Sequence, residues 1–387
     1  MSDFEDVNEL ARKGDPRAQN ALGTMYRNGE RVPQSDAEAV RWYALAAEQG
    51  DAGAQFNLGA MYAQGKGVGQ SDAEAARWLA LAAEQGDARA QCNLGWMYDV
   101  GRGVVQSDAE AVRLFALAAE QGDADAQCNL GWMHEAGRGV EQNDAEAARL
   151  YKLAAEQGDA RAQCNLGWMY EFGRGVEQSD AEAARWYALA AEQGESTAQC
   201  NLALLYKEGR GVEQSDADAV RWYALSAEQG DADAQCNLGW MYEFGRGVGQ
   251  SDAEAVRWYA LSAEQGDARA QCNLALLYQE GRGVEQSDAE AVRWYALSAE
   301  QGDARAQCNL GFMYEEGRGV GQSDAEAVRL FALAAEQGDT WAQFNLGVMH
   351  EQGRGVPKDP SEALRLYGLA AAKGHAGAAE RLRGSRG

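Results

Sequence analysis

DARAQCNLGWMYEFGRGVEQSDAEAARWYALAAEQG, residues 159–194, decides the fold, because almost the whole chain is this segment written again. One leucine marks the register. Leu22, Leu58, Leu94, Leu130, Leu166, Leu202, Leu238, Leu274, Leu310 and Leu346 follow one another at a constant step of 36 residues. A fixed period of that size is the signature of a solenoid, in which each unit buries its apolar face against the next. The repeat overrides the two or three globular domains that 387 residues would otherwise suggest.

Ten full units run 15–50, 51–86, 87–122, 123–158, 159–194, 195–230, 231–266, 267–302, 303–338 and 339–374. Residues 1–14 occupy the place of a second helix and read as an N-terminal capping helix. Phe4, Val7, Leu10 and Ala11 lie on one face, and Asp3, Glu5, Asp6 and Glu9 cover the rest. Residues 375–387 restart a first helix and run into a basic end, so they read as the C-terminal cap.

Within one unit the helix signals are explicit. Asp159 is placed to N-cap a first helix whose apolar stripe is Ala162, Leu166, Met169 and Tyr170. Gly173 ends that helix, and Gly-Arg-Gly-Val turns the chain, with Val176 as a hydrophobic anchor. Ser179-Asp-Ala-Glu182 is a capping box opening a second helix. Ala183, Tyr187, Ala190 and Ala191 line the inner face of that helix, and Gly194 stops it. The fold class that follows is all-α, a solenoid of helix-turn-helix repeats.

The bulk numbers fit an array. The 46 glycines against 4 prolines recur at fixed places, so they punctuate turns and do not signal disorder. Net charge is −25, and the 159–194 copy alone carries six acids and three arginines, so the acidity is spread along the chain. Such a field disfavours nucleic acid and anionic membrane and favours a basic partner; it also serves solubility. The opening MSDFEDVNELARKGD lacks the basic and apolar regions of a signal peptide. No window approaches the ~20 apolar residues of a membrane span. A cytoplasmic monomer is the expectation.

In the notation of this chain the unit reads A-x-x-x-L-G-x-M-Y-x-x-G-x-G-V-x-x-x-x-x-x-A-x-x-W-Y-x-x-A-A-x-x-G. That run resembles the Sel-1-like repeat, a relative of the tetratricopeptide repeat with its unit of about 34 residues. The resemblance covers residues 15–374. It implies a right-handed superhelix of helix pairs with the first helices lining the concave face. It also implies an adaptor that assembles other proteins, as in protein quality control, envelope signalling or host–microbe contact. One secreted, cysteine-rich branch of the family is associated with penicillin binding.

Chemistry finds little footing. Cys92, Cys128, Cys164, Cys200, Cys236, Cys272 and Cys308 all fall in one slot. Stacked helices lie about 8–10 Å apart, whereas a disulfide needs Cα atoms about 4.4–6.8 Å apart, so neighbouring cysteines are not expected to pair. The cysteine-rich branch joins two cysteines within each unit, and this chain lacks the second, which separates it from the penicillin-binding activity. No C-x-x-C motif or histidine cluster suggests a metal. His134 and His350 replace the stripe tyrosine and His375 stands in the tail, none beside an evident catalytic partner. The carboxylates recur with the unit and supply no pair of contrasting environments. Gly-Arg-Gly-Val lies between two helices and is not a phosphate loop. The reading is a protein that is not an enzyme and uses no cofactor.

The distinguishing slots lie across the first helix from Leu166. The slot of Trp168 holds Trp96, Trp132, Trp168, Trp240 and Phe312, with Leu204 and Leu276 between them. The slot of Arg161 alternates in sign, with Arg89, Asp125, Arg161, Asp233, Arg269 and Arg305. The slot of Glu171 holds Asp99, Glu135, Glu171, Glu243 and Glu315, and the next position holds Phe172 and Phe244. One reading is a groove with aromatic anchors along its floor and acid along a rim, which binds a protein or extended peptide of basic character. The other is that each tryptophan packs between successive first helices. The joint change of Gly167-Trp168-Met169 to Ala203-Leu204-Leu205 favours packing, and the change of Ala60 to Trp96 favours the groove. The second-helix tryptophans, Trp42, Trp78, Trp186, Trp222, Trp258 and Trp294, alternate only with leucine and read as packing. The expected function is a non-enzymatic scaffold. The alternatives are a secreted or envelope-associated signalling or host-interaction factor and, more distantly, a penicillin-binding or β-lactamase-like activity.

Overall fold

The structure, a computed structural model, describes residues 2–384, with side chains over 4–384. Regular structure among the described residues is entirely helical, and the chain divides into two compact units, Met1–Gln193 and Gly194–Gly387. The first holds α1 (Ser2–Arg12), α2 (Pro16–Asn28), α3 (Asp36–Glu48), α4 (Ala52–Gln64), α5 (Asp72–Glu84), α6 (Ala88–Val100), α7 (Asp108–Glu120), α8 (Ala124–Ala136), α9 (Asp144–Glu156), α10 (Ala160–Phe172) and α11 (Asp180–Glu192). The second holds α12 (Ser196–Glu208), α13 (Asp216–Glu228), α14 (Ala232–Phe244), α15 (Asp252–Glu264), α16 (Ala268–Glu280), α17 (Asp288–Glu300), α18 (Ala304–Glu316), α19 (Asp324–Glu336), α20 (Thr340–Gln352), α21 (Pro360–Ala372) and α22 (Ala376–Gly384). From α2 and α3 onward the helices come in pairs. Within each unit a first helix packs on its own second helix and on the second helix before it.

The sequence at 159–193 accounts for one such pair. Asp159 accepts a hydrogen bond from the Ala162 N–H at 2.7 Å and starts α10. Gly173, at φ 64, ends it. Ser179 Oγ accepts from the Glu182 N–H at 3.3 Å and starts α11. The returning arm of the expected capping box does not form. The Ser179 N–H donates instead to the Tyr170 carbonyl at 2.9 Å, and Glu182 turns to Arg185 at 3.3 Å. The second helix begins so close to the end of the first that the backbone has already supplied that acceptor.

Gly-Arg-Gly is a contact between repeats as well as a turn. Arg174 pairs with Asp144, in the first turn of α9, at 2.7 Å. A Cβ on Gly175 would stand 2.1 Å from the Asp144 carbonyl oxygen, and its φ is 66, so no other residue fits there. Within the pair, Gly167 gives way to a ring: a Cβ there would meet Tyr187 Cδ1 at 2.7 Å, and Tyr187 is fully buried. In the second unit Ala275 stands at the equivalent place, with Leu276 and Leu277 in place of Trp and Met, and Tyr295 remains fully buried.

A buried glutamine ties the pairs together. Gln163 donates through Nε2 to the Ala155 carbonyl at 3.1 Å, and its Oε1 accepts from Gln193 Nε2 at 2.8 Å. It thereby joins the end of α9, the body of α10 and the end of α11. The same relay recurs at Gln55, Gln91 and Gln127 in the first unit and at Gln235, Gln271 and Gln307 in the second.

The ends are closed differently. Phe4 and Val7 pack onto Ala11, Ala18 and Leu22, but Leu10 is 49% exposed. Six residues at about 100° each carry Leu10 about 120° away from Phe4, off the shared face. At the other end His375 Nδ1 accepts from the Ala378 N–H at 3.1 Å, and its ring stacks on Phe344 at 4.4 Å. The expectations for the Asp3 side chain and for residues 385–387 fall outside the described residues.

Two substitutions test this packing. Gln163→Leu leaves the Ala155 carbonyl and the Gln193 amide without their shared partner. It is expected to lower stability by about 1–3 kcal/mol in urea denaturation followed by circular dichroism. Gly167→Ala is expected to cost about 1–3 kcal/mol by the same measurement. Adding Trp168→Leu and Met169→Leu, which copies Ala275-Leu276-Leu277, should recover a large part of that loss.

Candidate partner-binding face

On α6, α8 and α10 the residues turned away from the second helices form one face. Trp96 is 44% exposed, Trp132 40% and Phe172 56%. Trp168 is half-buried, packed against the cluster of Cys128, Tyr151 and Met169 on one side and 5.3 Å from Phe172 on the other. In the second unit Trp240 and Phe244 repeat that arrangement at 5.3 Å, and Phe312 meets Phe331 edge-on at 5.2 Å. Trp168 and Trp240 therefore have one side against the core. Turn arginines stand over the rings: Arg102 at 5.8 Å from Trp96, Arg138 at 4.9 Å from Trp132, Arg174 at 5.4 Å from Trp168 and Arg246 at 5.9 Å from Trp240.

The alternating charges of the Arg161 slot are ladders between repeats. Arg161 pairs with Asp125 at 2.7 Å, and Arg269 pairs with Asp233. Arg89 holds Asp87 at 2.9 Å and lies over Phe56. Arg305 donates to Cys272 Sγ at 3.1 Å and to Asn273 Oδ1.

The carboxylates of the acid slot are engaged by tyrosines of the same repeat and by arginines of the next. Glu171 and Glu243 are buried and accept from the hydroxyls of Tyr187 and Tyr259, both at 2.9 Å. Glu135 accepts from Tyr151 at 2.7 Å. Asp99 pairs with Arg138 at 2.9 Å, Glu315 with Arg354 at 2.7 Å and Glu243 also with Arg282 at 3.0 Å. A buried tyrosine hydroxyl needs an acceptor, and the first helix supplies one from its last turn. Burial, joined by the neighbouring carboxylate, pushes the Tyr151 and Tyr259 hydroxyls far above their usual range, so both stay protonated as donors.

The seven cysteines carry free thiols, six of them buried. Burial is the main cause that pushes Cys92, Cys128 and Cys236 up to about 12 and Cys272 to about 11, with nearby aspartates adding to it. These are packing side chains and not nucleophiles.

Two columns on the surface escaped the sequence reading. Asn57, Asn93, Asn129, Asn165, Asn201, Asn237, Asn273, Asn309 and Asn345 recur at the 36-residue step, half-buried except for the exposed Asn93. They sit between the arginine and tryptophan slots; Asn57 donates to Asn20 at 3.0 Å and Asn345 to the Trp341 carbonyl. On the second helices Leu45, Leu81, Leu117, Leu153 and Leu189 in the first unit stay exposed, as do Leu225, Leu261, Leu297, Leu333 and Leu369 in the second. Strict recurrence of a residue with no place in the inner stripe was the signal available for both.

Among the described residues no helix is long and apolar enough to cross a membrane. The model of the Sel1 repeat matches ten times, over 16–51, 52–87, 88–123, 124–159, 160–195, 196–231, 232–267, 268–303, 304–339 and 342–375. Among solved structures, c5321, a protective antigen present in uropathogenic Escherichia coli strains and displaying an SLR fold, is 40% identical. It is covered over 82% of its length by 99% of this chain, with a TM-score of 0.89. A Sel1 repeat protein from Oxalobacter formigenes is 33% identical, with 79% of this chain matching 89% of that one and a TM-score of 0.59. No curated protein sequence matches.

The thiols set a pH dependence. In the unfolded chain they lose their protons around the ordinary value of 9.0, while Cys92, Cys128 and Cys236 in the fold hold theirs to about 12. Between those values the unfolded state binds fewer protons, so their contribution is whole below pH 9 and is lost as pH rises toward 12. Urea midpoints should fall between about pH 8 and about pH 10.5. Thiolate absorbance should appear at about pH 10 only after urea is added.

Proposed function

The chain belongs to the Sel1 repeat family, and from that premise we propose that it is a non-enzymatic scaffold that binds another protein through the first-helix face. An extended segment of the partner lies across successive first helices, and its apolar side chains rest on the aromatic rings. The observation that carries the reading is the exposure of Trp96 and Trp132, 44% and 40%, on neighbouring first helices of one compact unit, with Phe172 at 56% on the next. Large aromatic rings left open in register are what binding hot spots are made of, and contiguous exposed apolar surface on a soluble chain marks an interaction site.

Two further features support it. The half-buried asparagines beside the rings offer both amide hydrogens and carbonyl oxygens, the complement of a peptide backbone. The net charge of −25 favours a partner with basic side chains and speeds its encounter. Arg161, Arg89 and the acids of the Glu171 slot then hold the repeats in register and leave direct contact to the rings and amides. The non-enzymatic reading is supported by burial that favours the protonated thiols and by the engagement of these carboxylates with tyrosine and arginine.

The test is affinity capture from the native lysate with the full chain and with a Trp96→Ala/Trp132→Ala/Phe172→Ala variant. The variant should keep its helical circular dichroism and lose at least about ten-fold in retention of the partner. Undiminished retention would sink the reading. A collapse of the urea transition in the variant would sink it too, because it would assign these rings to the core.

A further inference from the structure

Two repeats depart from the others in the same two places at once. In the fourth, His134 replaces the stripe tyrosine and Leu150 the second-helix tryptophan. In the tenth, His350 and Leu366 do the same. Elsewhere these repeats are far apart: Cys128 against Phe344, Trp132 against Val348, Lys152 against Gly368. The shared pair is therefore not the residue of a recent copying of one repeat into the other.

Each pair opens a cleft on the second-helix side. In the first unit a cleft of about 540 Å³ lies between α7 and α9, walled by Val112, Ala119, Leu130 and Leu150, with His134 at its floor and Arg149 at its edge. In the second unit a cleft of about 580 Å³ lies between α19 and α21, walled by Val328, Ala335, Leu346 and Leu366, with His350 and Arg365 in the same roles. Where leucine replaces the tryptophan but the tyrosine stays, at Leu330 and Tyr314, the cleft measures about 160 Å³. Nδ1 of His134 and of His350 is buried without a hydrogen-bond partner.

The next repeat records what fills this space when the chain fills it. Trp186 is 6% exposed and packs in one cluster with Ala148, Ala155, Leu166 and Tyr170. Ala155, Leu166 and Tyr170 stand one repeat on from Ala119, Leu130 and His134. The arginine before each such tryptophan covers its ring: Arg185 stands 5.2 Å from Trp186, Arg77 5.0 Å from Trp78 and Arg257 4.8 Å from Trp258. There the guanidinium reaches its glutamate through one nitrogen, Arg185 to Glu182 at 3.3 Å. Without a ring beneath it Arg149 forks onto Glu146 at 2.8 and 2.6 Å, and Arg365 onto Glu362 at 2.7 and 2.6 Å.

We propose that the clefts at His134 and His350 are two equivalent binding sites for an indole ring, which enters the place that the second-helix tryptophan occupies in other repeats. In the first cleft Val112, Ala119, Leu130 and Leu150 offer apolar contact to a flat ring, Glu120, Gln127 and Glu146 add polar lining, and the arginine supplies the stacking cation. Volumes of this size fit a small ring-bearing ligand. The ring is recognised alike on a free small molecule and on a tryptophan side chain of a bound protein. The sites lie across the repeat from the exposed first-helix rings, so they stand independently of the scaffold reading.

Isothermal titration calorimetry of the full chain with indole, and separately with a Gly-Gly-Trp-Gly-Gly peptide, tests this. Saturable binding of either probe with two sites per chain is expected. Binding of indole alone points to a free ligand, and binding of the peptide to a protein source. His134→Tyr/Leu150→Trp restores the chain's own filling, so it should leave one site and raise the thermal midpoint. His134→Tyr alone recreates the Tyr314 and Leu330 pairing and should weaken that site at least ten-fold. No saturable binding of either probe overturns the proposal, as does binding that keeps its two-site stoichiometry in the refilled variant.

Discussion

Everything in this array depends on how a buried helix end is satisfied. Within each compact unit the second helix of a repeat finishes underneath the first helix of the next, where its last carbonyls lie beyond the regular helical ladder and take turn N–H groups such as that of Gly158. A glutamine such as Gln163 adds to this because its amide donates and accepts at once, and its side chain is long enough to reach back to Ala155 while holding Gln193. A hydrophobic residue would pack but would leave the Ala155 carbonyl with only its turn donor, the Gly158 N–H at 3.0 Å, and would release Gln193. The relay also disfavours insertions, since a shift of one residue in any of three helices breaks two bonds, which agrees with the unbroken 36-residue step. In the last repeat Lys373 replaces the donor glutamine and turns to the Gly338 carbonyl at 2.7 Å, and Gln343 Oε1 is left without a hydrogen bond. The relay ends where the stack has no further second helix to hold.

The same economy explains the acids of the first helix. Tyr187 and its counterparts fill the space between two helices, against glycine in most repeats and against alanine at Ala203 and Ala275, and once buried their hydroxyls demand an acceptor. Glu171 meets that demand from the last turn of α10. Where Lys207 replaces the acid, the Tyr223 hydroxyl is buried with no partner, and the lysine ammonium stands 5.3 Å from the Trp240 ring instead. An unmet buried hydroxyl costs about 1–3 kcal/mol. A cation held over an exposed-face aromatic is the visible return for that cost, and it lies on the first-helix face.

How much of this was legible depended on whether a residue's partner lay within the period. The caps at Asp159 and Ser179, the stripe through Leu166 and Met169 and the glycine turns all act within a few residues, so pattern alone exposed them. Arg174 with Asp144 and Gln163 with Gln193 are 30 residues apart, and no helical spacing links such pairs. The helical wheel puts Glu171 opposite Leu166, on a rim, yet its side chain turns back to a tyrosine 16 residues away. Trp168 resisted assignment for a physical reason as well, since one side of the ring is core and the other is surface.

Substitutions inside the array come in coupled sets. Ala275 brings Leu276 and Leu277, His134 comes with Leu150, and Asp125 faces Arg161. The first set keeps a packed volume and the last a paired charge, whereas His134 with Leu150 removes volume at two touching positions and opens a cleft. Phe172 and Phe244 come with Trp168 and Trp240, each 5.3 Å away, whereas Glu208 and Glu280 come with Leu204 and Leu276. The slot of Phe172 runs through Val100, Ala136, Phe172, Glu208, Phe244 and Glu280, from small to aromatic to charged, beside neighbours that keep the same caps and turns. Phe172 and Phe244 are 56% exposed, so the fold neither demands a ring there nor forbids one.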